Sequence, residues 1–147
     1  MANKLYKETI LSHNRSPAHR YRMEGYTASM EGRNPICGDD IHLYLRVEGD
    51  IIQEASFDGN GCSLAIASSD LLCAAITGKT AEEAQSLVDR YFGVIKEGKE
   101  ENRFTGELEE LNALEAVREY PSRLDCACLP WETLNKILSE RNTTDGE

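Results

Sequence analysis

No apolar stretch in the 147 residues reaches the ~20 that a membrane-spanning helix requires. The N-terminus, Met1-Ala2-Asn3-Lys4-Leu5, lacks the apolar core of a secretory signal, so the cytoplasm is the expected compartment. Basic charge is scarce as well: 16 Lys and Arg face 26 Asp and Glu, a net charge of −10. Nucleic acids and anionic membrane surfaces are held by basic patches, so neither is an expected partner. The cysteines number five, an odd count that makes a poor disulfide framework. In a reducing compartment, metal binding or thiol chemistry is the better use for them. There is no internal repeat and no low-complexity linker. No G-x-S-x-G elbow occurs, and the glycine-rich run from Asp58 to Gly61 lacks the Lys-Ser/Thr of a phosphate loop.

What is present suffices for one globular domain over residues 1–147, with 40% hydrophobic residues and a polar tail from about residue 141 expected to be flexible. Residues 3–13 read as a short helix with Leu5, Ile10 and Leu11 on its apolar face. Residues 14–24, with Arg15, His19, Arg20 and Arg22, read as a loop. Strands are expected at Tyr26–Met30, Ile41–Val47 and Ile51–Phe57. The second alternates strictly, with Ile41, Leu43, Leu45 and Val47 on one face and His42, Tyr44 and Arg46 on the other.

After Cys62 the apolar period becomes helical and runs to Gly78. Thr80-x-x-Glu83 is a capping box that opens a helix with Ala84, Leu87, Val88, Tyr91 and Ile95 on its inner face. Lys96–Arg103 reads as a loop. Leu108, Leu111, Leu114 and Val117 mark another helix ending near Pro121, and Trp131, Leu134, Ile137 and Leu138 a last one. Because proline lacks an N–H, that last helix is expected to start at about Pro130 or to kink there. Strands first and helices after predict an α+β domain: a three-stranded antiparallel sheet with about five helices packed on one face.

Cys37 and Asp39, Cys62, and the pair Cys126 and Cys128 stand in three separate loops. Thiolates and a carboxylate gathered from separate loops make a soft, anionic pocket of the kind that holds zinc or an iron–sulfur cluster. Gly38 lets the chain fold closely between Cys37 and Asp39. Cys62 is placed to open a helix, whose N-terminus stabilises negative charge and lowers a thiol pKa. Spacing does not choose between Cys126 and Cys128. Cys73, in mid-helix among apolar residues, reads as a core residue. His13, His19 and His42 read as surface side chains.

The motifs Asn34-Pro-Ile-Cys37-Gly-Asp39-Asp, Gly59-Asn-Gly-Cys62-Ser and Arg123-x-x-Cys126-x-x-Leu129-x-Trp131 resemble the three ligand motifs of the IscU/SufU/NifU-N iron–sulfur cluster assembly family. Within that family the chain is most similar to the SufU branch. Asp125 stands where IscU proteins carry a histidine, the Leu-Pro-Pro-Val-Lys motif of IscU is absent, and Arg123 and an insertion within residues 96–120 look like SufU. The resemblance implies zinc held by Cys37, Asp39, Cys62 and Cys126. It implies a zinc-dependent sulfurtransferase in which Cys37 accepts persulfide sulfur from a pyridoxal-phosphate cysteine desulfurase of the SufS type, with Arg123 helping to engage that partner. Downstream iron–sulfur scaffold or recipient proteins would take the sulfur onward. The alternative is a non-enzymatic scaffold that binds iron or an assembling [2Fe–2S] cluster, with Asp125 as a possible oxygen ligand. A structural zinc domain is the third reading. Asp125, Cys128 and Pro130 depart from the usual SufU pattern around the last ligand, where a basic residue, a threonine and a small residue are expected.

Overall fold

The alternation around Leu43 produces the expected strand. β2 (Asp39–Glu48) lies between β1 (Ala28–Asn34) and β3 (Ile51–Asn60) in an antiparallel sheet of order β1-β2-β3. The computed structural model describes residues 2–145. Of the tail from about residue 141, the backbone to Asp145 is helical, and residues 146–147 lie outside the described residues. Ile41, Leu43 and Leu45 are fully buried on one sheet face. Burial of one such side chain contributes roughly 1.5–3 kcal/mol. On β3 the inner face is Ile52, Ala55 and Phe57, an odd spacing that a flat strand would split between two faces. A bulge resolves it: Arg46 pairs with Glu54 and Val47 with Ile52, so Gln53 is the extra residue.

Both hairpin strands run further than their apolar alternation indicates. β1 starts at Ala28 and extends to Asn34, which pairs with Asp39. Tyr26 lies before the strand, its ring tilted against Tyr44. β3 continues through Asp58 and Gly59 to Asn60, a stretch that composition alone marks as a loop. Gly59 makes that continuation possible. Its φ is +112°, and a Cβ there would overlap the Asp40 carbonyl oxygen.

The helices cover the inner face: α1 (Ala2–Arg15), α2 (Ser63–Ile76), α3 (Ala81–Ile95), a 3-10 helix over Gly106–Val117, and α4 (Pro121–Asp145). α2 is buried almost all round and forms the centre of the core. α3 starts at the expected capping box: Glu83 N–H donates to Thr80 Oγ1 at 3.1 Å and Thr80 N–H to Glu83 Oε1 at 2.9 Å. The apolar residues at 108, 111, 114 and 117 are spaced by three, not by 3.6. That spacing lies along one line of a 3-10 helix, and Leu111, Leu114 and Val117 are buried there.

Two helices depart from expectation. On α1, Leu5 and Leu11 are exposed, while Thr9 is buried and Tyr6 and Ile10 pack against the core. α4 begins at Pro121 and continues through Pro130, nine residues earlier than the proline rule placed it. Proline is well suited to a first helical position, where its missing N–H costs nothing.

His13, expected on the surface, instead ties α1 to α2. Its Nδ1 lies 2.6 Å from Oδ2 of Asp70, whose Oδ1 accepts the His19 backbone N–H at 2.9 Å; Nε2 lies 3.3 Å from Glu110. The Asp70 hydrogen bond, against some desolvation, raises the His13 pKa above its ordinary value. A raised folded-state pKa adds stability that is fully present below the unfolded value near 6.5 and is lost as pH rises through the folded value. Urea unfolding of the protein and of His13→Gln between pH 5.5 and 9 checks this: the wild-type advantage is expected to shrink as pH rises, and a pH-independent gap contradicts it. Gly59→Ala is expected to lower the unfolding free energy by about 2 kcal/mol or more, measured by the same titration, because it adds both strain and a backbone clash.

Candidate metal centre

The β1–β2 hairpin tip, Pro35–Gly38, carries Cys37 into solvent. The Asn34 side-chain oxygen accepts the Ile36 N–H at 3.2 Å, and Gly38 at φ +76° turns the chain back into β2. Asp39, the first residue of β2, is thereby folded beneath the tip and is 2% exposed. Cys126 reaches the same point from the second turn of α4 and is buried. One ligand atom each from Cys37, Asp39 and Cys126 lies within 4.8 Å of the other two.

Cys62 stands beside this trio in a different role. It is the N-cap of α2, with its sulfur accepting the Ala65 N–H at 3.4 Å and its own N–H donating to Asp39 Oδ1 at 2.9 Å. The positive end of α2 is therefore directed at the carboxylate. Asp39 Oδ2, equally buried, has no hydrogen-bond partner. A buried carboxylate oxygen without a donor is costly, and a cation is the partner that suits it. Soft thiols with one carboxylate match the donor set that zinc accepts, so the residues present fit a metal ion.

The shifts of the neighbouring groups reflect how closely acidic groups are gathered and buried here. Burial, then the close Asp39, Cys37 and Cys62 groups, push the Cys126 thiol far up. Tyr6 is raised too, by burial first, with Arg123 opposing and Cys62 and Cys126 adding to the rise. Among the described residues no histidine joins the cluster, and Asp125 is exposed outside it. Cys128 is buried away from the trio, its thiol pushed up to about 12 mainly by burial. Residues two apart on a helix point roughly 200° from each other, which is why one cysteine of the pair meets the hairpin and the other enters the core. Cys73 is likewise a core residue.

A cavity of about 610 Å³ opens next to the thiols of Cys37, Cys62 and Cys126. Tyr6, Ile10 and Leu11 of α1, Leu64 of α2 and Arg123 of α4 line it. Arg123 is exposed, its guanidinium 5.6 Å from the centre of the Tyr120 ring. Motif reading missed the α1 contribution, although 6, 10 and 14 recur at helical spacing and Asn14 donates to the Ser63 carbonyl at 2.6 Å, beside Cys62. It also missed the side chain of Asn34, whose amide lies 4.0 Å from the Cys126 sulfur.

The four environments predict an order of reactivity. With limiting iodoacetamide and metal-free protein at pH 8, Cys37 is expected to alkylate first and Cys126 far more slowly. Cys73 and Cys128 should stay protected until the protein is unfolded; mass spectrometry of the digested protein reads the order, and equal labelling of Cys37 and Cys128 contradicts the geometry.

Comparison with known proteins adds the lineage. The family described as the NifU-like N-terminal domain matches residues 5–127. The zinc-dependent sulfurtransferase SufU of Bacillus subtilis is 35% identical over 136 residues, covering 92% of this chain and 90% of that protein. The iron–sulfur cluster assembly scaffold protein IscU of Thermotoga maritima is also 35% identical, covering 92% and 94%. A crystal structure of a putative iron–sulfur cluster assembly scaffold protein for the SUF system from Fervidobacterium islandicum superposes with a TM-score of 0.81 at 30% identity, over 94% of this chain and 99% of that one. With its three-stranded sheet, its helical cover and its three ligand motifs, this chain belongs to the IscU/SufU/NifU-N family of iron–sulfur cluster assembly proteins.

Proposed function

We propose that this protein is the sulfur-accepting member of an iron–sulfur assembly pair: a cysteine desulfurase delivers persulfide sulfur to Cys37, beside zinc held by Cys37, Asp39, Cys62 and Cys126. The observation that carries the reading is the contrast between an exposed Cys37 on a hairpin tip and the buried, partnerless Asp39 Oδ2 directly behind it. Zinc bound there keeps its thiol ligands deprotonated at neutral pH.

The residues of the chain account for the rest. The hairpin tip presents Cys37 where a partner's loop can reach it, and the adjoining cavity gives that loop an apolar seat with Arg123 at its edge. The Cys37 thiolate attacks the terminal sulfur of the donor's cysteine persulfide. A new S–S bond forms on Cys37 while the donor's S–S bond breaks, and the donor cysteine leaves as a thiolate, so no electrons are gained or lost overall. Asp39, oriented by the Cys62 N–H, and the N-terminus of α2 hold the anionic surroundings in place. Downstream iron–sulfur scaffold or recipient proteins then take the sulfur.

A second reading, a scaffold on which a [2Fe–2S] cluster is assembled, draws on the equal similarity to a protein named as such a scaffold. The lack of a histidine among the clustered groups, with Asp125 turned outward, favours the first.

Radiolabelled sulfur from a cysteine desulfurase of the SufS type, with metal analysis of anaerobically purified protein, tests the proposal. One colourless zinc per chain is expected, and Cys37→Ala should lose at least about 90% of label uptake while Cys73→Ala keeps it, as suits a required nucleophile. Label retained by Cys37→Ala, or brown protein carrying iron and sulfide, overturns it.

A further inference from the structure

Pro130 sits inside α4, four residues after Cys126. It has no N–H to give the Cys126 carbonyl, and its ring presses on that same carbonyl. The helix is therefore weakest at the turn that carries a residue of the metal centre. The neighbouring carbonyl, that of Ala127, is held from outside the helix. Ser68 Oγ–H of α2 donates to it at 2.6 Å, and Tyr91 O–H of α3 donates to it at 2.7 Å. Ser68 Oγ in turn accepts the Trp131 indole N–H at 3.1 Å, and the Trp131 ring stacks on Tyr91 at 3.9 Å and 6°. Ser68, Tyr91, Ala127 and Trp131 are all fully buried, so each hydroxyl finds its partner away from water.

We infer that Ser68, Tyr91 and Trp131 are positioning residues for Cys126, replacing by side-chain hydrogen bonds the rigidity that Pro130 removes from α4. A carbonyl locked from two helices cannot rotate about the α4 axis. The Cα one residue earlier is then fixed as well, and with it the direction in which the Cys126 sulfur meets Cys37 and Asp39. Across the gap between the hairpin and the first turns of α4, two of the thiol contacts are long, 4.0 Å from Asn34 Nδ2 to Cys126 Sγ and 3.9 Å from Cys37 Sγ to the Ser122 carbonyl. The hydrogen bonds behind Cys126, at 2.6 and 2.7 Å, are shorter than either. The inference rests on Cys126 being a metal ligand.

The test uses Ser68→Ala and Tyr91→Phe, each of which removes one hydroxyl and little volume, in two arms. In zinc-loaded protein, transfer of zinc to a chromogenic chelator should be faster by about tenfold in each variant, the scale on which support around a ligand acts. In metal-free protein, alkylation of Cys126 should speed up relative to Cys37 in the same tube, together with amide exchange over residues 124–130. Val88→Ala, a core truncation in α3 outside the clamp, should leave both ratios unchanged although it destabilises the fold. Adding Pro130→Ala restores the helical N–H and should shrink the effect of Tyr91→Phe in both arms. Unchanged zinc transfer and unchanged Cys126 protection in both clamp variants overturn the inference, as does an effect that Val88→Ala reproduces or that persists at full size with Pro130→Ala. Wild-type protein that binds no zinc overturns the zinc reading, and the metal-free arm then decides whether the clamp positions Cys126.

Discussion

The carboxylate of Asp39 has one oxygen tied to the N-terminus of α2 and the other buried without a partner, and the surrounding elements are arranged about it. The hairpin turn before it, the strand it begins and the N-cap that donates to it all converge on this side chain. Even the approach of β3 to α2 is tailored to it: a Cβ at Gly61 would stand 3.1 Å from Asp39 Oδ1. A polar atom left bare in a protein interior is a standing cost. A cation at the site would meet that oxygen, while the hydrophobic contacts of β2, with Ile41, Leu43 and Leu45 fully buried, hold the strand that Asp39 begins.

The thiols divide by environment. Cys37 is exposed on the hairpin tip, Cys62 caps a helix, and Cys126 is held in the interior. An acceptor of sulfur needs that asymmetry: one thiol that can be reached, others that keep the pocket's shape and charge. Although the whole chain carries −10, the cations Arg123 and Lys7 both border the cavity.

Much of the fold was legible because it is written in local periods. The alternation of β2, the Thr80–Glu83 capping box and the inner face of α3 all appear as read. The spacing of three through Leu108, Leu111, Leu114 and Val117 matches the period of a 3-10 helix more closely than the 3.6 of an ordinary one. The family motifs brought forward Cys37, Asp39, Cys62 and Cys126 as candidate ligands. The boundaries were less readable. β3 runs through the glycine-rich Asp58–Asn60 because pairing with β2 outweighs poor strand propensity, and α1 turns Tyr6, Thr9 and Ile10 inward because of what lies beneath it.

The chain alone determined which chemical groups were available: five thiols, two successive carboxylates (Asp39 and Asp40) just after the first of them, and no excess of positive charge. The tertiary structure places Cys126, and not Cys128, beside Cys37 and Asp39. That placement depends on α4 starting at Pro121, which sends residues two apart to opposite sides of the helix, and on α4 surviving Pro130. Beside that proline, hydroxyls from Ser68 and Tyr91 reach the Ala127 carbonyl by packing across long stretches of sequence, which no local pattern around Pro130 encodes.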